Sequence, residues 1–289
     1  MKNVSEERLL KVAVPNKGAL AEAAADMLRA AGYRQRTDPK DLTLIDSDHQ
    51  VEFYYLRPRD IAVYVGQGHL DLGITGRDML LDSGANAAEI MELGFGGSRF
   101  RFAAPEGTGL TVADLAGKRI ATSYPGLLGA WLKEQGVAAS LVRLDGAVES
   151  AIRLGVADVV ADVVDTGTTL RRAGLELFGE AICHSEAILI RRGSGPAPTG
   201  LEGLQTRLES VLVAHNFLMM DYNVQEQNLP ATTALAGGVN GPTVSRIAKD
   251  GWVAVRVLVP KKGAHILMDR LFEAGARGIL LTELRSCRL

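Results

Sequence analysis

The chain has 289 residues, 47% hydrophobic and 23% charged, with a net charge of −2 and 5% aromatics. That length calls for two or three domains, and the composition is that of an ordinary globular protein. Without a basic excess or an aromatic platform there is nothing to hold a nucleic acid, so the fitting partner is a small anion in a local pocket.

The N-terminal Met-Lys-Asn-Val-Ser-Glu-Glu-Arg is charged at once, and no apolar run approaches bilayer length. No secretory signal and no membrane span are therefore expected. Leu9–Pro15 predicts a buried strand, Asn16-Lys17-Gly18 a turn, and Ala19–Ala31 a helix closed by Gly32. Leu42–Ile45 and Val51–Leu56 read as strands joined by a polar turn, and Pro58–Val65 as a short helix with proline near its start. Leu72–Thr75 is a further buried strand, leading through Gly76-Arg77-Asp78 into a helix, and residues 94–98 form a flexible crossing.

A second series starts near Arg101. Thr111 and Asp114 are spaced as a capping box. Strands follow at Arg119–Thr122 and Leu141–Leu144, with helices at Leu127–Gln135 and Ala147–Leu154. A valine-rich strand then runs to Asp165, with a helix from Leu170, and Ile182–Arg191 is a strand placed to return to the first sheet. The alternation implies two α/β lobes with parallel sheets and ligands at the strand C-terminal ends, in a cleft between them. After the loop 193–200 and a helix at Leu201–His215 the pattern becomes βαββαβ, a ferredoxin-like unit. From residue 216 onward nine Lys/Arg stand against six Asp/Glu, a charge shift that supports a separate domain.

The stretch with most chemistry is Asp162-x-x-x-Thr166-Gly167-Thr168-Thr169. A buried strand that enters a tight turn at a helix N-terminus offers unpaired N–H groups and a positive dipole end to a phosphate. Threonine hydroxyls add donors, Gly167 permits close approach, and the upstream carboxylate can accept from vicinal sugar hydroxyls. Together they suit a ribose 5-phosphate; the plain alternative is a threonine that only caps the next helix. Lys17 is a cation at a strand-to-helix turn, where it can meet a phosphate or be a surface lysine. Arg57 and Arg59 supply two arginines at another strand end, Arg59 alternatively pairing only with Asp60. Arg77 can face phosphates, and Asp78 can cap its helix. Glu149 points into the cleft or into solvent. The cysteines, Cys183 and Cys287, are far apart in no metal-ligand spacing, and the five histidines lack helical ligand spacing, so a reducing cytoplasm fits and a histidine-built metal site does not.

Taken in order, Val12-Ala-Val-Pro-Asn-Lys-Gly18, Leu72-Gly-Ile-Thr-Gly-Arg-Asp78, Ile120-Ala-Thr-Ser-Tyr-Pro125, Leu144-Asp-Gly-Ala-Val-Glu149, residues 158–170, Leu218-Met-Met-Asp-Tyr222 and Ser286-Cys-Arg-Leu289 span nearly the whole chain. This set resembles the long-form ATP phosphoribosyltransferase family, the first enzymes of histidine biosynthesis. The resemblance implies two periplasmic-binding-protein-like (type II) α/β lobes plus a C-terminal ferredoxin-like βαββαβ domain. The expected domains are residues 1–98 with 188–215, residues 99–187, and residues 216–289. It implies that Asp162, Asp165, Thr166, Gly167, Thr168 and Thr169 bind phosphoribosyl pyrophosphate, and that Lys17, Gly18, Arg57, Arg77 and Asp78 line the ATP and pyrophosphate region. Asp162 and Glu149 are the expected catalytic acids. Mg²⁺ is expected on the substrate diphosphate, with any protein ligand left open. Asn223, Val239, Thr243, Leu258 and Gly278 map to an allosteric histidine site, and the family implies a homo-oligomer, dimers assembling to hexamers.

Two positions depart from the family pattern. Asn223 stands where an aspartate is expected, so it can accept a hydrogen bond but brings no charge. Asp165 places a charge near the proposed phosphate. Only one acid of the adjacent pair usual in salvage phosphoribosyltransferases is present, which favours the histidine-pathway reading over a salvage enzyme. A two-lobed binding protein for an anionic metabolite is the other alternative.

Overall fold

The computed structural model describes residues 8–164 and 167–289. They fall into two compact units, one made of the chain to Asp26 and Arg34–Leu201, the other of Met27–Tyr33 and Glu202–Leu289.

The first unit holds two sheets. Its first half runs β1 (Leu10–Pro15), α1 (Ala19–Ala30, whose last turn belongs to the second unit), β2 (Thr43–Asp46), β3 (Val51–Leu56), α2 (Pro58–Gly66), β4 (Leu72–Gly76), α3 (Arg77–Ser83) and β5 (Ala87–Glu92). The chain then crosses over and forms β6 (Ser98–Pro105), β7 (Arg119–Thr122), α4 (Pro125–Glu134), β8 (Ser140–Arg143), α5 (Ser150–Arg153), β9 (Val159–Val164), α6 (Thr168–Arg172) and β10 (Leu175–Ser185). It returns as β11 (Ala187–Arg192). The sheet orders are β2-β3-β1-β4-β11-β5 and β10-β6-β9-β7-β8. Two α/β lobes connected by two crossings are thus observed. β1 and β4 are apolar almost throughout and buried, as central strands covered on both faces must be. β3 alternates buried and half-buried residues, as a strand with one face in the core does.

Three expectations are corrected. The sheets are mixed rather than parallel: β1 runs parallel to β3 and β4, and β7 to β8 and β9, while the other pairings are antiparallel. The strand expected over 182–191 is two strands, β10 and β11, in different lobes, divided at Glu186. The helix expected over 147–154 shortens to Ser150–Arg153, because Gly146 (φ +117°) and Ala147 (φ +47°) are both left-handed, which a right-handed helix cannot contain.

The second unit contains α7 (Leu201–Asn216), β12 (Phe217–Gln225), α8 (Leu229–Leu235), β13 (Thr243–Arg246), β14 (Trp252–Pro260), α9 (Ala264–Glu273) and β15 (Arg277–Glu283). The order β13-β14-β12-β15 is that of a ferredoxin-like βαββαβ sheet. Alternation sends Leu218, Met220 and Tyr222 of β12 and Val253, Val255 and Val257 of β14 into one core, leaving Met219, Asp221 and Asn223 on the opposite face with Arg256 and Leu258. No helix among the described residues is long and apolar enough to cross a membrane.

The turn between β2 and β3 depends on Asp46, which is fully buried. Its carboxylate accepts from Arg34 N at 2.9 Å, His49 N at 3.3 Å and His49 Nδ1 at 2.9 Å. Burial pushes this carboxyl up, but the Arg34 N–H and the His49 contacts outweigh it and hold the group below its ordinary 3.8. A depressed carboxyl stabilises the fold above its unfolded value and loses that contribution as pH falls through the folded one. Asp46→Asn should therefore cost roughly 1–3 kcal/mol near neutral pH, with the gap to wild type closing below 3.8. Urea melts across the pH range check this, and a gap that widens in acid would contradict it.

Candidate active site

Between the two sheets of the first unit lies a cleft of about 330 Å³, lined by Lys17 and Gly18 after β1, Asp78 and Met79 at the start of α3, Tyr124 before α4 and Val163 on β9. Each of these stands at or beyond the C-terminal end of a strand, where α/β folds place ligands. Asp78 is buried. Its backbone N–H donates to Ser185 Oγ at 3.0 Å, and Ser185 Oγ donates to Asp78 Oδ1 at 2.8 Å. Glycine at 76 is what lets this carboxylate fold back: a Cβ there would lie 2.3 Å from Asp78 Oδ1. Burial, with the Asp78 charge nearby, pushes the Tyr124 phenol well above its ordinary range.

Asp162 sits on β9 beside Val163. Burial pushes its carboxyl above the usual range; the Val163 N–H opposes this, the Glu149 charge adds to it, Arg59 opposes it and Asp78 adds again. Glu149 is half-buried at the N-cap of α5, two residues after the left-handed Ala147. Asp78, Glu149 and Asp162 thus share one region of negative potential. Gly167 is left-handed (φ +71°) and opens α6, whose first turn exposes Thr168 and Thr169. Asp165 and Thr166 lie outside the described residues.

Two expected phosphate ligands stand elsewhere. Arg57 is exposed at the N-cap of α2 and does not line the cavity. Arg77 is turned onto carboxylates: it meets Glu89 through Nε and Nη2 at 2.9 and 2.7 Å, Glu92 at 2.8 Å and the His184 carbonyl at 3.1 Å, with Glu186 at 3.7 Å. The Glu89 hydrogen bonds hold it charged above its ordinary range. A guanidinium already surrounded by three acids has little charge left for a phosphate.

In the second unit, Asn223 stands beside Gly278, where a Cβ would meet Asn223 Nδ2 at 3.5 Å. Thr243 opposes Arg256 and Leu258 opposes Met219, while Gly238, next to Val239, packs against the Leu258 backbone. These positions share the sheet face opposite the core, but Asn223 opposes Ala254, about 13 Å along β14 from Leu258.

The family model described as "ATP phosphoribosyltransferase" matches residues 57–210, and that described as "HisG, C-terminal domain" matches residues 214–286. An "ATP phosphoribosyltransferase" of Kocuria rhizophila is 59% identical, over 97% of this chain and 100% of its own length. The chain belongs to the ATP phosphoribosyltransferase family. A relative of the same description from Salinispora tropica is 56% identical over 97% of this chain and 100% of its own. The structure titled "ATP phosphoribosyl transferase (HisG:HisZ) complex from Thermotoga maritima" superposes with a TM-score of 0.59 at 26% identity, covering 70% of this chain and 99% of that one. This chain is the long form of the ATP phosphoribosyltransferase family, since it carries the C-terminal domain as well.

Within that family's cleft the sequence reading missed how Arg59, Tyr124 and Ser185 are used. Arg59 is turned toward Asp82 and the other lobe: Nη1 donates to Asp82 at 3.2 Å and to Ser123 O at 2.8 Å, and the guanidinium lies 4.3 Å from the Tyr124 ring centroid. The doubled arginine of Leu-Arg-Pro-Arg and the Tyr-Pro step were visible signals; Ser185, inside an apolar-looking strand, gave none. If the Glu149 charge helps hold the Asp162 carboxyl up, carbon-detected NMR on labelled aspartate should place Asp162 above 3.8 and move it down in Glu149→Gln. An Asp162 titration indifferent to Glu149→Gln would separate the two acids.

Proposed function

We propose that this chain transfers the 5-phosphoribosyl group from phosphoribosyl pyrophosphate to N1 of ATP, releasing pyrophosphate in the first step of histidine biosynthesis. The observation that carries this reading is near full-length family identity joined to a cleft in which Lys17, Gly18 and Asp78 meet the β9 strand that bears Asp162. The ring nitrogen has its own lone pair, so no protein nucleophile is needed. The work is alignment of two substrates and neutralisation of the leaving diphosphate. Lys17 and Arg59 supply positive charge at the cleft. Positive charge developing at C1 of the ribose is favoured by the negative potential of Asp78, Glu149 and Asp162, the same potential that raises the Asp162 carboxyl. Gly167, Thr168 and Thr169 receive the 5-phosphate at the opening of α6.

The described residues form no cluster of three His, Cys, Asp or Glu able to cage a metal. The acids at the cleft instead fit a hydrated Mg²⁺ brought in on the substrate diphosphate, whose chemistry is to neutralise the leaving oxygens. Any protein contact to its water shell would come from Asp78, Glu149 or Asp162. The enzyme acts in the cytoplasm.

In the second unit we assign histidine feedback to the open sheet face. Asn223 with Gly278, and Leu258 with Val239 and Thr243, lie too far apart along the strands for one amino acid to touch all five within one chain. That spacing favours a site completed by a second copy, in keeping with dimers that assemble to hexamers. A salvage enzyme would accept a free base instead of ATP, and a binding protein would release no pyrophosphate.

Pyrophosphate release with ATP, phosphoribosyl pyrophosphate and Mg²⁺ tests the reaction directly. Asp162→Asn should lower kcat by about 10²-fold or more. A carboxyl held above its unfolded value destabilises the fold once ionised, so this variant should melt no lower than wild type at neutral pH. Near-normal turnover would remove Asp162 from the mechanism. In the second unit, Asn223→Asp should lower the histidine concentration for half-inhibition about tenfold, one charge-assisted hydrogen bond's worth. Unchanged sensitivity would place the amino group of histidine elsewhere.

A further inference from the structure

Helix α4 begins without a cap of its own. Tyr124 stands at its N-cap with no side-chain capping hydrogen bond, and Pro125 has no N–H to donate. The free donors of the first turn, Gly126 N and Leu127 N, are met by a single oxygen, Asp82 Oδ1, at 2.8 and 3.2 Å. Asp82 belongs to α3, in the other lobe. Its second oxygen accepts from Arg59 Nη1 at 3.2 Å, and the same nitrogen donates to Ser123 O at 2.8 Å. Glycine is required at 126, since a Cβ there would lie 2.1 Å from the Asp82 carbonyl oxygen.

We infer that Asp82, seated on Gly126, is an interlobe latch: it caps α4 from across the cleft and so sets how far the cleft closes over its substrates. A carboxylate at a helix N-terminus gains both the dipole and two N–H groups. When the lobes part, the carboxylate and the two donors return to water, where each is well solvated, so the latch releases without stranding a buried charge. Asp82 does not line the cavity. It acts through what it fixes: the Ser123-Tyr124 step that presents Tyr124 to the cleft, and the Arg59 guanidinium stacked on that ring. It is a positioning residue, and the family assignment alone does not single it out. Closure of this kind is what brings catalytic groups from two lobes together and excludes water.

The kinetic part of the test rests on the proposed reaction; the distance part does not. With Cys183 and Cys287 changed to serine, nitroxide labels are placed at the exposed Asp48 and Glu134, one on each lobe, and the pair is read by pulsed electron–electron resonance. Asp82→Ala and Gly126→Ala should each shift the distribution toward longer distances. Each should raise KM for both substrates about tenfold while kcat falls less than about threefold, as expected when the closed population shrinks. The double variant should be no worse than the more severe single one, because both remove one device. Asp82→Asn keeps an acceptor and should stay within about threefold of wild type. Asp82→Ala removes no core side chain, so its melting curve separates opening from unfolding if Gly126→Ala proves unstable. Unaltered distance distributions in Asp82→Ala overturn the latch whatever the kinetics. A wild-type protein that releases no pyrophosphate overturns the reaction while leaving the distance comparison intact.

Discussion

The cleft is organised by the buried pair Asp78–Ser185. Asp78 opens α3 at the end of β4, and Ser185 closes β10 where the chain crosses back between lobes. Each group both gives and receives, N–H to Oγ and Oγ–H to Oδ1. The neighbouring Arg77 N donates to Glu186 O at 3.0 Å, and its side chain holds the His184 carbonyl and the acids of β5. One turn, Gly76-Arg77-Asp78, therefore grips three successive residues of the crossing. The strand end that forms the cleft floor and the segment that joins the lobes cannot shift independently. A side chain at 76 would break this arrangement by displacing the Asp78 carboxylate.

This constraint also sets the electrostatics. By holding Asp78 in the cleft with one oxygen committed to Ser185, the fold adds a carboxylate to a region that already contains Glu149 and Asp162. The cations nearest in sequence do not cancel it: Arg77 is occupied by Glu89 and Glu92 on the far side of the turn, and Arg57 is exposed at a helix start. Arg59 remains, placed over Tyr124 and tied to the other lobe. The cleft thus holds three acids, Asp78, Glu149 and Asp162, with Lys17 and Arg59 as its cations. A substrate pair in which one centre becomes cationic while a diphosphate departs calls for charges of both signs.

Much of this was legible in the sequence because strand ends announce themselves. Val-Pro-Asn-Lys-Gly, Gly-Ile-Thr-Gly-Arg-Asp and the Asp162 strand each join an apolar run to a polar, glycine-bearing turn, and the ferredoxin-like unit follows from the βαββαβ order of its elements. What stayed hidden depends on partners distant in sequence. Arg77 reads as a phosphate ligand until Glu89, Glu92 and Glu186 are brought around it by β5 and β11. Arg59 reads as a local ion pair until Ser123 arrives from the other lobe. The short α5 was obscured because Ala147 has high helix propensity, yet its backbone is left-handed. The split of Ile182–Arg191 into two strands was invisible because both pieces are apolar and differ only in which sheet they join.

Asp46 and Asp162 show that location in the fold, not residue type, sets the state of an acid. Both are largely removed from water, and burial pushes both carboxyls up. At Asp46 the protein supplies Arg34 N and two donors from His49, and the carboxyl ends below its ordinary value. At Asp162 the protein supplies the Val163 N–H and the charge of Arg59, adds the charges of Glu149 and Asp78, and leaves the carboxyl high. A structural carboxylate is completed by its own chain. One left in negative company beside an open cleft is open to completion from outside, and the ribose of the proposed reaction would bring both hydroxyl donors and a centre of growing positive charge.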